Sequence, residues 1–201
     1  MSDAARTRDG AEESAAREAS THEDPARGDV TLVDATREGS TREDAAYAAE
    51  QFPAGSFTSN GEAETFAQGE QVGARLAGGE TLLLDGPLGA GKTVFVKGLA
   101  SALGLDPDEV SSPSFTLVNR HAEGRLLLYH LDLYRLEEGA SAAHAVDLDE
   151  LLADERAVIV IEWAERMGRY RLPPTTFRVH IDGDGEDPRR IHITRGADSE
   201  S

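Results

Sequence analysis

One segment of the sequence, residues 86–93 (GPLGAGKT), has the residue types and spacing of a phosphate-binding loop, G-x-x-x-x-G-K-[ST]. Glycines let successive backbone N–H groups turn inward around phosphate oxygens, the lysine reaches the terminal phosphates, and the threonine hydroxyl binds Mg²⁺. These positions are held by Lys92, one of only two lysines in the chain, and by Thr93. The alternative is a glycine-rich turn that matches the pattern by chance. We predict that the segment binds a nucleotide.

The segments on either side of this loop have the patterns that a phosphate-binding loop requires. Residues 81–85 (TLLLD) form a short apolar run, which predicts a strand. Residues 93–103 place Phe95, Val96, Leu99 and Leu103 at helical spacing. Strand, glycine loop and helix therefore follow one another, which is the structural context that supports the motif.

A carboxylate that could complete such a site follows the most apolar segment of the chain. Residues 157–161 (AVIVI) predict a central strand that is buried on both faces, and Glu162 comes directly after it. Ligands of α/β sheets bind at the carboxyl edge of the strands, and a phosphate-binding enzyme needs an acidic residue there for its metal. Glu162 is therefore our candidate on the metal side. The alternative is a surface glutamate just past the end of a strand.

A second carboxylate, Asp132, interrupts the apolar run of residues 125–136 (RLLLYHLDLYRL). Strand alternation places it on the same face as His130 and Tyr134, and that face is either solvated or part of the site. Because strands normally alternate apolar and polar residues, the residues alone narrowly favour the solvated face.

The single tryptophan and the histidines are less informative. Trp163 is either core packing or a platform beside the nucleotide; packing is the simpler interpretation, although the position directly after the candidate carboxylate favours the site. His130, His144, His180 and His192 lack the regular spacing of a metal cluster, so we interpret them as ordinary surface or strand residues.

The remaining pattern predicts one α/β domain. Ser59 and Glu62 form a capping box that should begin a helix running to the pair Gly78 and Gly79. Residues 115–119 and 125–136 are predicted to be two strands joined by a turn, and residues 146–153 an acidic helix. Residues 177–181 and 190–194 are predicted to form a closing hairpin. The expected fold is a P-loop NTPase-type α/β domain with a mixed β-sheet flanked by helices and a C-terminal hairpin.

Composition sets the expected domain limits. The chain has 201 residues, of which 39% are hydrophobic, enough for the core of one domain. Residues 1–51 contain few large apolar side chains, so we expect an acidic and disordered extension, followed by the domain at 52–195 and a frayed tail at 196–201.

Charge and composition also exclude some classes of function. A formal net charge of -18 argues against direct binding of tRNA or DNA, because that affinity grows with the phosphates neutralised by Lys and Arg. The sequence contains no run of the roughly 18 to 20 apolar residues that a membrane span requires. The chain has no cysteine, which excludes thiolate chemistry and is compatible with a reducing compartment, so we expect a cytoplasmic protein.

Four ordered motifs together resemble one family. They are GPLGAGKT at residues 86–93, SPSFTLVN at 112–119, YHLDLYRL at 129–136 and IEW at 161–163. In this order they resemble the TsaE family, also called YjeE, over roughly residues 57–193. The resemblance implies a bacterial ATPase that works with the TsaD and TsaB proteins in making threonylcarbamoyladenosine beside the tRNA anticodon, with tRNA contacted indirectly.

The resemblance also implies roles for individual residues. Lys92 would contact phosphates, Thr93 and Glu162 would lie at Mg²⁺, and Asp132 would be needed for hydrolysis, which reverses the narrow preference above. Residues 112–116 would form a switch-like loop near the terminal phosphate, and Trp163 would lie close to the nucleotide. Together with the loop pattern, this assigns nucleotide contact to Gly86, Leu88, Gly89, Ala90, Gly91, Lys92, Thr93, Val94 and Trp163.

The sequence departs from the usual family pattern at three positions and leaves other activities open. Pro87 stands where Asp is usual and removes one loop N–H, Val94 replaces a common Thr, and Ser114 replaces a Thr of the switch segment. A small-molecule kinase and an assembly switch that needs no turnover remain as alternatives. A GTPase is disfavoured, because guanine specificity commonly uses an Asn-Lys-x-Asp turn and neither lysine lies in one.

Overall fold

The computed structural model describes residues 52–183 and 188–196, and within them seven strands form one mixed β-sheet. The strands are β1 (Gly55–Ser59), β2 (Thr81–Asp85), β3 (Val118–His121), β4 (Leu127–Asp132), β5 (Ala157–Glu162), β6 (Thr176–Asp182) and β7 (Arg189–Arg195). Their order in the sheet is β1-β7-β6-β2-β5-β4-β3. Strands β6, β2, β5 and β4 are parallel, whereas β1, β7 and β3 pair antiparallel with their neighbours. The predicted mixed sheet is confirmed, and so is the closing hairpin of β6 and β7.

Helices cover both faces of this sheet. They are α1 (Glu62–Gly73), α2 (Lys92–Ala102), α3 (Ala140–Ala145) and α4 (Leu148–Leu152), with a 3₁₀ turn at Ala164–Met167. Alternate residues of β2 show which helices cover each face. Leu82 and Leu84 pack with α1 and α2, whereas Leu83 packs with α3, α4 and the 3₁₀ turn. Every residue of β5 is buried, as its apolar sequence predicts.

Glycines let α1 and α2 approach each other closely. A Cβ atom on Gly98 would lie 2.0 Å from the carbonyl oxygen of Phe66, and one on Gly69 would lie 2.1 Å from that of Phe95. No side chain larger than hydrogen fits at either position without moving a helix. This close packing places α2, and therefore the loop before it, at a defined height above the sheet.

The predicted capping box is wrong. Ser59 is the buried last residue of β1, and its hydroxyl donates to the Gly61 carbonyl (2.8 Å) and hydrogen-bonds the Thr65 hydroxyl (2.8 Å). Helix α1 begins after Gly61 without a side-chain cap, and the Glu64 carboxylate instead accepts from the backbone N–H of Asn60. Ser59 pairs with Arg189 at the end of β1, and the helix begins at Glu62, so Gly61 and not Ser59 is the N-cap residue.

Several element bounds also differ from the predictions, for local backbone reasons. Strand β3 begins three residues later than expected, because Leu117 has a left-handed φ of 65°. The acidic helix predicted at 146–153 is α4, which begins at Leu148 because Asp147 before it has a φ of 48°; helix α3 was not predicted. Helix α1 ends at Gly73, before the glycine pair, and strand β4 is shorter than its apolar run. Strand β1 was not predicted.

Some predictions concern parts of the chain outside the description. The acidic extension at 1–51, the tail beyond residue 196 and the turn at 184–187 lie outside the described residues. In the described part, no helix has both the length and the apolar character needed to cross a bilayer.

Candidate functional site

The predicted phosphate loop connects the end of β2 to the start of α2. Gly86, with φ 132°, lies so close to β6 that a Cβ atom would be 2.1 Å from the Ile181 carbonyl oxygen. Gly91 precedes α2 with φ 103°, and no side chain caps the helix there. The first backbone N–H groups of α2 are therefore available to an anion, and the helix dipole favours negative charge at that end.

The Lys92 side chain folds back over this loop. Its ammonium donates to the carbonyl oxygens of Gly86 (2.8 Å) and Pro87 (2.9 Å) and lies 3.9 Å from the centre of the Trp163 ring. Lys92 is only 5% exposed, and burial lowers its pKa, although nearby carboxylates, Glu162 foremost, oppose this shift. The loop therefore holds a cation at the place where phosphates would bind.

Thr93 and Glu162 meet beside that lysine. The Thr93 hydroxyl donates to both carboxylate oxygens of Glu162, at 2.9 Å to Oε1 and 3.2 Å to Oε2. Glu162 is the last residue of β5 and is 2% exposed, so it is not the surface residue that the alternative interpretation required. Two converging oxygen groups are ligands that suit Mg²⁺.

The protein oxygens alone do not form a complete metal cage. In residues 52–183 and 188–196, no group of three or more His, Cys, Asp and Glu side chains is arranged to hold a metal ion. Mg²⁺ is commonly held by one or two protein groups together with phosphate oxygens and water. The Thr93 and Glu162 pair therefore fits a metal that arrives with a nucleotide.

His130 lies in a strand, which was one of the two expected positions, but it is not at the surface. It is fully buried in β4, and its Nε2 atom lies 2.9 Å from Oε1 of Glu162. Only the register of neighbouring strands brings the two together, because 32 positions separate them along the chain. Its alternation with Asp132 on one strand face was the available sequence signal.

Asp132 lies in the site and not on a solvated face. It is 2% exposed, and its Oδ2 atom accepts hydrogen bonds from the hydroxyls of Ser112 and Ser114, the latter at 2.6 Å. Its Oδ1 atom accepts from the backbone N–H of Tyr134 at 2.8 Å. The loop that carries Ser112 and Ser114, called the serine loop below, folds over the strand end and buries the carboxylate. Alternation along one strand could not predict this.

Trp163 packs in the core, as the simpler interpretation held, and it also lies beside the phosphate-binding loop. Its ring packs against the apolar cluster beneath the sheet and also faces the Lys92 ammonium. The Tyr134 ring lies 4.8 Å away, centre to centre, at an angle of 45°. Trp163 has a left-handed φ of 58°, so the chain turns sharply after Glu162 and directs the indole toward the loop.

One cleft brings most of the predicted site residues together. Its lining includes Leu88, Gly89, Gly91, Lys92, Thr93, Val94, Asp132, Glu162 and Trp163. Gly86 and Ala90 are not in the lining; Gly86 packs against β6 and Ala90 is fully buried. The lining also contains Phe115, which is 85% exposed and lies under the Arg135 guanidinium at 4.2 Å. The apolar pattern predicted Phe115 as a strand residue, whereas the family resemblance placed it in the switch-like loop of residues 112–116; the structure has it in a turn before β3.

The chain is similar to one family of known proteins. The family model described as "Threonylcarbamoyl adenosine biosynthesis protein TsaE" matches residues 59–191. The tRNA threonylcarbamoyladenosine biosynthesis protein TsaE of Nostoc sp. is 40% identical over 131 residues, which cover 65% of this chain and 79% of the relative. The TsaE protein of Treponema pallidum is 43% identical and covers 61% and 90%, respectively.

A solved structure is similar as well. The crystal structure of Bacillus subtilis YdiB superposes with a TM-score of 0.54 at 30% identity, over 72% of this chain and 87% of that one. The TsaE protein of the same organism is 37% identical over 131 residues, covering 65% of this chain and 79% of the relative. These likenesses confirm the predicted P-loop NTPase-type fold.

Proposed function

Because the chain belongs to the TsaE family of threonylcarbamoyl adenosine biosynthesis proteins, we propose that it is the ATPase of that pathway. In this proposal it binds ATP with Mg²⁺, hydrolyses it slowly alone, and acts in the cytoplasm with TsaD and TsaB to form N6-threonylcarbamoyladenosine in tRNA. The observation that carries the proposal is the convergence of Lys92, Thr93, Glu162 and Asp132 on one cleft at the carboxyl edge of the sheet.

Phosphate binding rests on the loop and the helix behind it. The uncapped N–H groups at the start of α2 and the Lys92 ammonium would hold the β and γ phosphates. The ammonium would exchange its two loop carbonyls for phosphate oxygens, which are stronger acceptors because they are charged. Thr93 and Glu162 would hold Mg²⁺, which when bound offsets negative charge on the terminal phosphates.

Asp132 is the residue that would act on the attacking water. A carboxylate can accept a proton or orient the water in line with the phosphorus atom. In this structure Ser112, Ser114 and the Tyr134 N–H occupy its oxygens. A rearrangement of the serine loop would free Oδ2, and this supports a slow intrinsic rate that partner proteins raise.

The same observation supports the second candidate function, an assembly switch that signals by its bound state. A carboxylate that already accepts three hydrogen bonds is held well but is poorly placed to accept a proton from water. If ATP binding alone rearranges the serine loop, the bound state is what a partner detects, and turnover only resets it.

The partner assignment rests on charge as well as on family. The 38 Asp and Glu residues outnumber the 20 Lys and Arg, and the resulting formal net charge of -18 opposes binding to the tRNA backbone. TsaD and TsaB would then carry most of the tRNA contact, and this chain would contact tRNA only through the complex.

The test compares the two lysines of the chain. ATP hydrolysis is measured as phosphate release by the wild type, Lys92→Ala and Lys97→Ala, alone and with TsaD and TsaB from the same organism. We expect partner-stimulated hydrolysis that Lys92→Ala abolishes and Lys97→Ala retains, because Lys97 lies one and a half turns along α2 and outside the cleft lining. Equal rates in all three proteins would indicate a contaminating ATPase and would contradict the proposal.

A further inference from the structure

His130 is a polar side chain at the border between the site and an apolar layer. On the side away from the site, its neighbours on the same face of the sheet are Leu128, two residues earlier on β4, and Val160, its register partner on β5. These residues belong to the core that α1 and α2 cover, and His130 itself is 0% exposed. Burying an imidazole in such a layer costs free energy unless its nitrogens are hydrogen-bonded.

Only one of the two ring nitrogens has a partner in the part of the chain that the structure describes. Nε2 lies 2.9 Å from Oε1 of Glu162, whereas Nδ1 is buried and has none. A carboxylate oxygen can only accept, so Nε2 is the donor. The contact with Glu162 is therefore the polar interaction that opposes the cost of burying this residue.

This contact bears on the orientation of the Glu162 carboxylate. Oε1 accepts from His130 and from Thr93, both at 2.9 Å, whereas Thr93, at 3.2 Å, is the one partner of Oε2 among the described residues. Thr93 is the first-turn residue of α2 and His130 lies in the sheet, so the carboxylate is held from two different elements. Without the imidazole, nothing in the described residues would hold Oε1 from the sheet side.

We propose that His130 is a positioning residue that orients Glu162 for the divalent cation accompanying the nucleotide. The inference rests on the proposed function, because it assumes that Glu162 serves Mg²⁺. Groups that orient metal ligands typically change metal affinity by about 10- to 100-fold when removed. A residue that only filled the core would change folding stability and would affect nucleotide binding equally with and without the metal.

The experiment uses three variants of the full chain. His130→Met replaces the imidazole with an apolar side chain of similar size and so removes the donor. His130→Gln keeps an N–H near the position of Nε2. Leu128→Met changes packing on the same strand and face without touching Glu162. Binding of a non-hydrolysable ATP analogue is measured by calorimetry with saturating Mg²⁺ and with a chelator, and thermal unfolding is followed with the chelator.

The measured quantity is the gain in affinity from Mg²⁺, which is the affinity for the analogue with saturating Mg²⁺ divided by the affinity in chelator. We expect His130→Met to reduce the gain in affinity from Mg²⁺ by a factor of about ten while the affinity in chelator is unchanged. His130→Gln should retain most of the gain, and Leu128→Met all of it. Folding of each variant is verified by its cooperative unfolding in chelator.

The possible contrary results are distinguishable. The positioning role would be overturned if His130→Met had the same gain in affinity from Mg²⁺ as the wild type. It would also be overturned if His130→Met lost equal affinity with and without Mg²⁺. Either result would leave the proposed function intact. A failure of His130→Gln to retain the gain would overturn the assignment of the Nε2 donor as the cause. A wild-type protein that binds the analogue equally well with and without Mg²⁺ would overturn the inference together with the magnesium part of the proposed function.

Discussion

Asp132 and Glu162 are register partners at the ends of the neighbouring parallel strands β4 and β5. Both carboxylates are 2% exposed, yet different groups hold them. Serine hydroxyls from a loop donate to Asp132, whereas Thr93 of α2 and His130 of the sheet contact Glu162. The two acids therefore lie at one edge of the sheet with separable environments, and their substitution should have separable effects.

Asp132→Asn should remove hydrolysis and leave nucleotide binding nearly unchanged. The amide keeps the shape of the carboxylate but cannot accept a proton from water, and general bases contribute about 10²- to 10⁴-fold to rates. Single-turnover phosphate release should fall at least about 100-fold, while analogue affinity measured by calorimetry stays the same. Asp108→Asn, on an exposed turn, is the control. A variant that hydrolyses ATP at the wild-type rate would exclude Asp132 as the base.

Glu162→Gln should weaken the nucleotide affinity that depends on Mg²⁺. The amide oxygen can still accept from Thr93, but the negative charge that attracts the cation is gone. In chelator the affinity should not fall, because a carboxylate near phosphates repels them. Calorimetry under both conditions measures this, with Glu150→Gln on the exposed side of α4 as the control. A fall in chelator as large as that in Mg²⁺ would contradict a metal role.

Gly98→Ala should destabilise the domain. An added Cβ atom would lie 2.0 Å from the Phe66 carbonyl oxygen, so α1 and α2 must separate. Overpacking of this kind costs about 1 to 3 kcal/mol of unfolding free energy, which urea denaturation would measure. Lys97→Ala, at the adjacent position of α2, should change stability by less than about 0.5 kcal/mol. Equal stability of Gly98→Ala and the wild type would show that the helices are not in close contact.

Arg125→Ala should also destabilise the domain, through helix ends. The Arg125 guanidinium donates to the carbonyl oxygens of Gly73 (2.6 Å) and Leu76 (2.8 Å), where α1 ends. The Gly73 carbonyl would keep the Leu76 N–H as a donor (3.2 Å), but the Leu76 carbonyl would lose the guanidinium. An acceptor left without a donor costs about 1 to 3 kcal/mol. Urea denaturation of this variant is compared with that of Arg120→Ala, an exposed arginine of β3. Similar urea midpoints for the two variants would contradict a role of Arg125 in capping the end of α1.

Tyr170 should make stability decrease at alkaline pH. Burial, followed by its hydrogen bond to the Asp149 carboxylate (2.6 Å), raises the pKa of Tyr170 to about 12. The phenol donates only while it is protonated. Its contribution is fully present below the unfolded-state pKa of about 10 and is lost as pH rises through the folded-state pKa.

Tyr170→Phe provides the measurement for this tyrosine. The stability difference between wild type and variant, from denaturation at several pH values, should be constant below pH of about 10 and shrink above it. An ultraviolet difference titration of the two proteins should assign the late-titrating phenol. A constant stability difference through the alkaline range would contradict the prediction.

Local patterns predicted the parts of this protein whose causes are local. The phosphate loop, the strands β2 and β5 and the helix α2 are each determined by residues that are close together in the chain. Glu162 was found in the same way, because a carboxylate at the end of a buried strand has a defined position at the sheet edge. The hairpin of β6 and β7 likewise follows from alternation and a short turn.

The sequence by itself therefore determined the fold class, the loop that would bind phosphate and Glu162, the carboxylate at the end of β5. Only the tertiary structure decided that Asp132 is buried beneath two serines, that His130 contacts Glu162, and that Ser59 faces the interior and leaves α1 uncapped. The physical reason is that these three outcomes depend on pairing between strands and on how a loop folds over a strand end. Sequence periodicity reports which face of its own element a side chain occupies, but not which residue of another element lies opposite.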